Sequence, residues 1–264
     1  MIRPFLRLAF LFTAAALWVG CVPEYYRTAE PVEVPPNALR VGVTSTYPPI
    51  VFRQGAQIAG VEAELAHLLG ARLNRPVHFL EIPWDQQIDA LIGGRTDIIM
   101  SGMSVTAARA GRVAFTEPYL EAGLVAAVRT EDARRYGSRQ ALLAAPVTVG
   151  VIERTTGDVF VQQNFTNARR VAFTVASDGA LALRNRTIDV FVHDAPSIAW
   201  LVSANEADLA GIWQFLNKEH LAWAVRRSDS LLLAQVNESL AAWRRDGTLA
   251  AVLARWLPYL TRQS

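Results

Sequence analysis

The sequence predicts an α/β protein built as two lobes, and three observations carry that expectation. From residue 39 to residue 257, short apolar runs of strand length alternate with stretches that repeat at helical spacing. The alternation is interrupted by the polar stretch Thr130–Arg139 and restarts at Pro146. Two apolar segments, near 124–129 and 219–225, lie where a chain would cross between the two halves.

The N-terminus reads as an export signal. Arg3 and Arg7 supply positive charge, and Leu8–Val19 runs almost unbroken apolar. That run is shorter than the roughly 20 residues of a transmembrane helix. It stops at Leu17-Trp18-Val19-Gly20-Cys21, which resembles a lipobox with Trp18 in place of the usual Leu. The resemblance implies that Cys21 is lipidated and becomes the first mature residue, leaving a membrane-anchored lipoprotein in the periplasm or cell envelope. Pro23, Pro31, Pro35 and Pro36, interleaved with Glu24, Glu30 and Glu33, then form an extended tether.

The folded body follows in order. Leu39–Val43 is a strand. Val61–Leu73 places Val61, Leu65, Leu68 and Leu69 on one helical face. Val77–Ile82 is the next strand, and Gln86–Ile92 is a short helix stopped by Gly93-Gly94. Strands are expected over Ile98–Met100 and 123–128, then over Val147–Ile152, Val171–Val175 and Ile188–Val192, with helices near 156–165, 178–184 and 195–203. Leu221–Val225 returns as a strand, and helices over Ser228–Arg245 and Thr248–Leu257 close the body. The expected organisation is a signal over 1–20, a tether over 21–38, a first lobe from 39–127 plus 221–264, and a second lobe from 128–220.

Composition narrows the function classes. Apolar residues make up 52% and charged residues 19%, which suits a packed core and not a disordered chain. The net charge of +2 lacks the basic stripe of a nucleic-acid binder. Cys21 is the only cysteine, so no intramolecular disulfide forms. His67, His78, His193 and His220 show no metal-ligand spacing, and no cofactor is expected. His193 and Asp194 are adjacent on a strand, which predicts opposite faces and a structural role for His193. Trp200, Trp213, Trp223, Trp243 and Trp256 are expected to pack in the core or along helices.

The stretch from Asp97 to Arg109 carries the most chemistry. A buried strand runs into Ser101-Gly102-Met103-Ser104 and then a helix start. Hydroxyls and free backbone N–H groups in such a loop suit an anion, and Arg109 can fork two donors onto a carboxylate.

In order along the chain stand Gly42-Val43-Thr44-Ser45-Thr46-Tyr47-Pro48-Pro49-Ile50, Gly60-Val61-Glu62-Ala63-Glu64-Leu65, Ser101 to Thr106 followed by Arg109, Phe115-Thr116-Glu117-Pro118-Tyr119, Gly150 to Thr156, Ile188 to Asp194, and Arg244 to Thr248. Over Arg40–Leu257 this set resembles the family 3 periplasmic solute-binding proteins, with the type II periplasmic binding fold and two hinge crossings, which serve polar amino-acid ABC transporters. The resemblance implies a small amino acid or carboxylate as ligand and an ABC permease as partner. It implies that Tyr47 and Trp84 wall the pocket. It implies that the ligand carboxylate goes to Ser101, Gly102, Ser104 and Arg109, that Thr155 and Thr156 face it from the second lobe, and that Asp194 takes the ammonium. Gly is usual where Arg154 stands, so Arg154 either adds a carboxylate contact or faces solvent. Thr44 stands where binders of basic amino acids often carry an acid, and with Trp84 it argues for an uncharged side chain. The competing readings are an enzyme resembling the cyclohexadienyl dehydratases, with Glu62, Glu117 or Glu153 as proton donor, and a sensor or accessory lobe, which needs domains not expected after the last helix.

Overall fold

A computed structural model describes residues 34–258. The expected signal, Cys21 and the tether up to residue 33 lie outside the described residues.

The first sheet starts from β1 (Leu39–Val43), whose side chains are almost all buried. A small hairpin sheet follows, with β2 (Thr46–Tyr47), β3 (Val51–Gln54) and β4 (Gln57–Ala59) paired antiparallel. Next come α1 (Val61–Leu73), β5 (Val77–Glu81), a short 3-10 turn over Trp84–Gln86, α2 (Gln87–Ile92) and β6 (Ile98–Ile99). The helix α1 spans the predicted residues. Its apolar face buries Val61, Leu65 and Leu69, and Asn74 ends it in the left-handed region with φ 53°. Beyond the four-residue helix α3 (Ala107–Ala110) come β7 (Ala114–Phe115) and β8 (Leu120–Ala122).

The second half opens with β9 (Leu124–Arg129), followed by a 3-10 segment over Thr130–Tyr136 and α4 (Arg139–Ala144). It continues through β10 (Thr148–Ile152), α5 (Thr156–Asn164), β11 (Arg169–Phe173), α6 (Ala176–Arg184), β12 (Val190–Asp194), α7 (Ala195–Ser203) and β13 (Leu209–Ile212). The chain returns through β14 (Glu219–Leu221) and β15 (Ala224–Val225), and ends in α8 (Ser230–Arg245) and α9 (Thr248–Trp256).

The two lobes share one plan. The first sheet has the order β5-β1-β6-β15-β7 and the second β11-β10-β12-β9-β13. In each, the first three strands are parallel and the last two are antiparallel additions. Each sheet is covered on both faces. Leu65 and Leu69 of α1 pack with α8 and α9 on one side of the first sheet, and Leu91 packs with Ile99 and Met103 on the other. Two further apolar clusters cover the faces of the second sheet. At one end of the first sheet, buried Asp97 gathers Arg40 at 2.5 Å, Arg75 at 2.9 Å and Arg226 at 3.3 Å, tying three distant segments to one carboxylate.

Two expectations are corrected. The segment 124–129 is not a crossing: β9 pairs with β12 and β13 inside the second sheet, so Leu124–Ala127 belong there and not to the first lobe. All six residues of β9 are buried, and a strand covered on both faces gives the same unbroken apolar run as a crossing segment. Outside both large sheets, β8 pairs antiparallel with β14 in a two-stranded sheet. Leu221–Val225 is also not one strand. Between β14 and β15 the ladder breaks, where the Ala222 amide donates to Met103 O and the Trp223 amide to Thr116 Oγ1. Of the tryptophans, Trp223 and Trp243 are core, whereas Trp200 is partly exposed and meets Phe52 of the hairpin sheet at 5.5 Å between ring centroids.

The second lobe depends on one close approach. A Cβ on Gly179 of α6 would lie 2.2 Å from Cε2 of fully buried Phe191 on β12. Gly179→Ala is therefore expected to destabilise the protein by about 1–3 kcal/mol, the usual cost of overpacking, with Phe191→Leu in the same chain recovering part of it. Denaturant unfolding checks this, and an unchanged midpoint for Gly179→Ala would contradict it.

Candidate functional site

Parallel strands end in loops with unpaired backbone groups, and here the ends of β1, β6, β10 and β12 border one cleft between the lobes. It encloses about 520 Å³, counting its open mouth. Tyr47, Trp84, Ser101, Gly102, Ser104 and Arg109 line it from the first lobe, and Thr155, Thr156 and Asp194 from the second. All the pocket positions expected from the sequence thus meet in one place. The acids weighed as proton donors, Glu62, Glu117 and Glu153, are not among the lining residues.

Arg109 is aimed by local structure. Thr106 caps α3, its Oγ1 accepting the Arg109 amide at 3.2 Å. The side chain then folds back over Trp84, with Cζ 5.0 Å from the ring centroid, a cation–π distance. Nη1 donates to Ser104 O at 2.9 Å. Among the described residues no carboxylate forms an ion pair with Arg109. Burial pulls its pKa down, and the charges of Glu219 and Asp194 oppose that.

Asp194 answers from the opposite wall. It ends β12 and stands at the N-cap of α7, yet its carboxylate makes no capping hydrogen bond. The start of α7 instead favours its negative charge through the helix dipole. Tyr47 Oη donates to Asp194 Oδ2 at 2.6 Å from across the cleft. Burial, and then the Asp194 charge, push the Tyr47 pKa well up, so the phenol keeps its proton. Asp194 Oδ1 is buried with no partner.

His193 departs from its expected place. It lines the same cleft, stacked on Tyr47 at 5.2 Å between centroids. Strict alternation fails because the strand ends at Asp194, where the backbone turns into α7. His193 Nδ1 accepts the Asp194 amide at 2.7 Å and lies 3.3 Å from Asp194 Oδ2.

The loop after β6 is seated on a buried acid. Gly102 has φ +64°, and a Cβ there would meet Tyr47 Cε1 at 2.2 Å, so both the backbone and the close approach require glycine. Its amide donates to Glu62 Oε2 at 2.7 Å, and Trp223 Nε1 donates to Glu62 Oε1 at 3.1 Å. Nearby, the Ser104 hydroxyl donates to Glu219 Oε2, as does Thr156 Oγ1 at 3.0 Å. Both hydroxyl protons are therefore turned away from the cleft, toward an acid absent from the sequence reading. Thr44, the position read for side-chain preference, lines the cleft as well, and Thr46, Ile152 and Thr174–Ala176 line it unpredicted. The helix expected from 178 begins at 176, and that earlier start puts Ala176 at the wall.

Trp84 and Arg154 join the lobes at the rim. Trp84 Nε1 donates to Arg154 O at 3.1 Å, and the Arg154 guanidinium pairs with Asp85. Of the two expectations for Arg154, the side chain is 63% exposed and bound to a protein carboxylate. Its φ of 60° lies in the left-handed region, which explains why glycine suits this position. No group of His, Cys, Asp and Glu able to hold a metal occurs among the described residues.

Burial raises the Glu62 pKa from 4.5 to about 8, opposed by the hydrogen bonds from Gly102 and Trp223. The folded chain thus holds this proton more tightly than the unfolded one. Its stabilising contribution is complete below about pH 4.5 and is lost as pH rises through about 8. Melting temperatures from pH 4.5 to 8 should fall more steeply in wild type than in Glu62→Gln; parallel slopes would contradict this assignment.

Residues 39–259 match the bacterial extracellular solute-binding proteins, family 3. The ABC transporter arginine-binding protein 1 of Escherichia coli (strain K12) is 26% identical, the alignment covering 83% of this chain and 90% of that protein. Among solved structures, the ancestral amino acid-binding protein AncCDT-1, a precursor of cyclohexadienyl dehydratase, is 30% identical with a TM-score of 0.78 over 83% of this chain and 95% of that one. An ancestral arginine-binding protein bound to glutamine is 27% identical, TM-score 0.76, over 84% and 98%. The strand order, the inter-lobe cleft and this match over the whole described body agree: the chain belongs to family 3 of the bacterial extracellular solute-binding proteins.

Proposed function

We propose that this protein captures a free amino acid with an uncharged side chain between its lobes, delivers it to an ABC importer, and leaves it chemically unchanged. One observation carries the reading. Arg109 in one wall has no ion-pair partner among the described residues, and Asp194 in the other keeps a buried oxygen with none. Unpaired buried charge is costly, and a zwitterion supplies both missing partners from one carbon. The ligand carboxylate lies on Arg109 and on backbone N–H groups of the loops. The ammonium lies on Asp194 Oδ1, helped by the Ser104 oxygen, whose own proton is committed elsewhere.

The side chain faces neutral walls. Thr44, Trp84, Ile152 and Thr174 line that space, while Asp85 at the rim is already paired with Arg154. A basic ligand, as in the arginine-binding relative, is the main competing outcome. On this reading the chain passes between lobes at β8 and β14, which serve as the hinge. Cys21, outside the described residues, carries the lipid anchor at the end of the tether.

Truncating one member of a desolvated charge pair costs about 2–5 kcal/mol. Arg109→Ala and Asp194→Ala should each weaken binding of the preferred amino acid by roughly 30-fold or more, since about 1.4 kcal/mol is a decade. Calorimetry on wild type should also rank neutral amino acids above arginine. Wild-type affinity in Asp194→Ala would exclude a zwitterion held across the cleft, arginine as the tightest ligand would overturn the neutral preference, and turnover of prephenate would move the protein to the dehydratases.

A further inference from the structure

The ligand scheme leaves one buried acid unused. Glu219 lies on β14, is 7% exposed, and is not among the residues that line the cleft. Its Oε2 accepts two hydroxyls, one from Ser104 on the loop between β6 and α3, and one from Thr156, the first residue of α5, at 3.0 Å. Its Oε1 accepts Asn217 Nδ2 at 2.8 Å, and Asn217 Oδ1 accepts the amide of Leu124, the first residue of β9, at 2.8 Å. Ser104 rides with the first lobe, whereas Thr156 and Leu124 ride with the second. The two hydroxyls meet on a single oxygen atom. Any parting of the lobes that separates Ser104 from Thr156 must break at least one of those bonds.

We propose that Glu219 is a clasp: a positioning residue on the crossing strand that draws a hydroxyl from each lobe onto one carboxylate oxygen and so favours the closed cleft before any ligand arrives. Two consequences follow from the geometry. Closure no longer depends on ligand contacts alone, so apparent affinity rises with the fraction already closed. The clasp also orients the cleft, because Ser104 and Thr156 present lone pairs and not protons to whatever enters. The inference is independent of ligand identity, and its test uses no ligand.

The experiment is an inter-lobe distance distribution from spin labels on Ala71→Cys in α1 and Gln163→Cys in α5, both exposed, in the full chain carrying Cys21→Ser. Without ligand, wild type should show a closed population. Glu219→Ala should reduce the closed-to-open ratio by about tenfold, equivalent to about 1.4 kcal/mol. Glu219→Gln should restore most of it, because an amide in either orientation still bonds both hydroxyls. Thr156→Val should lower the ratio alone but have no further effect in the Glu219→Ala chain. The clasp is overturned if wild type shows no closed population, if Glu219→Ala leaves the distribution unchanged, if Glu219→Gln behaves like Glu219→Ala, or if the Thr156→Val effect is undiminished in the double variant. Should Glu219→Ala fail to give a cooperative melt, Thr156→Val alone decides, and an unchanged distribution overturns the proposal.

Discussion

A guanidinium and a carboxylate in opposite walls of one cleft, each with bonding capacity left over, are the pair around which the remaining structure is organised. Neither position is available within one lobe. Arg109 follows β6 in the first sheet, and Asp194 ends β12 in the second. Both sheets place the first of their three parallel strands between the other two, so the loops that leave their C-terminal ends gather at the same crevice. Repeating that strand order is what brings the two charges to a common ligand.

The charges need rigid seats, and the surrounding residues supply them. Gly102 lets the loop before Arg109 lie against Tyr47, and Glu62 holds the Gly102 amide from beneath. Tyr47 in turn reaches across to one oxygen of Asp194, while the other is buried without a partner. At the rim, Arg154 adopts a left-handed backbone that costs an ordinary residue about 1 kcal/mol. The Trp84 hydrogen bond to its carbonyl and the Asp85 ion pair offset that strain only while the lobes are together. With Phe52 against Trp200, contacts between the lobes are spread around the cleft and do not sit on the ligand alone.

Much of this was legible in the sequence. The helices α1 and α7 have the predicted bounds because their apolar spacing and their limits are encoded locally, Asn74 after one and Pro196 at the start of the other. The pocket positions were legible through ordered motifs, each a strand end followed by its loop. What was not legible depends on tertiary placement. Glu219 stands at the polar start of the segment expected to cross between the lobes, and only the meeting of two lobes buries it beneath two hydroxyls. His193 was assigned to the wrong face because alternation assumes a strand that continues, and this one turns at the next residue. A fully buried strand such as β9 carries no periodicity to separate a sheet centre from a crossing.

The central claim is that a zwitterion bridges Arg109 and Asp194. The most direct measurement is a crystal structure of the protein with the neutral amino acid that raises its melting temperature most in a screen. The account predicts the ligand carboxylate on the free guanidinium nitrogens of Arg109 and the ammonium on Asp194 Oδ1, with Ser104 and Thr156 still bonded to Glu219. A ligand bound outside the cleft, or one seated there with either Arg109 or Asp194 making no contact to it, would contradict it.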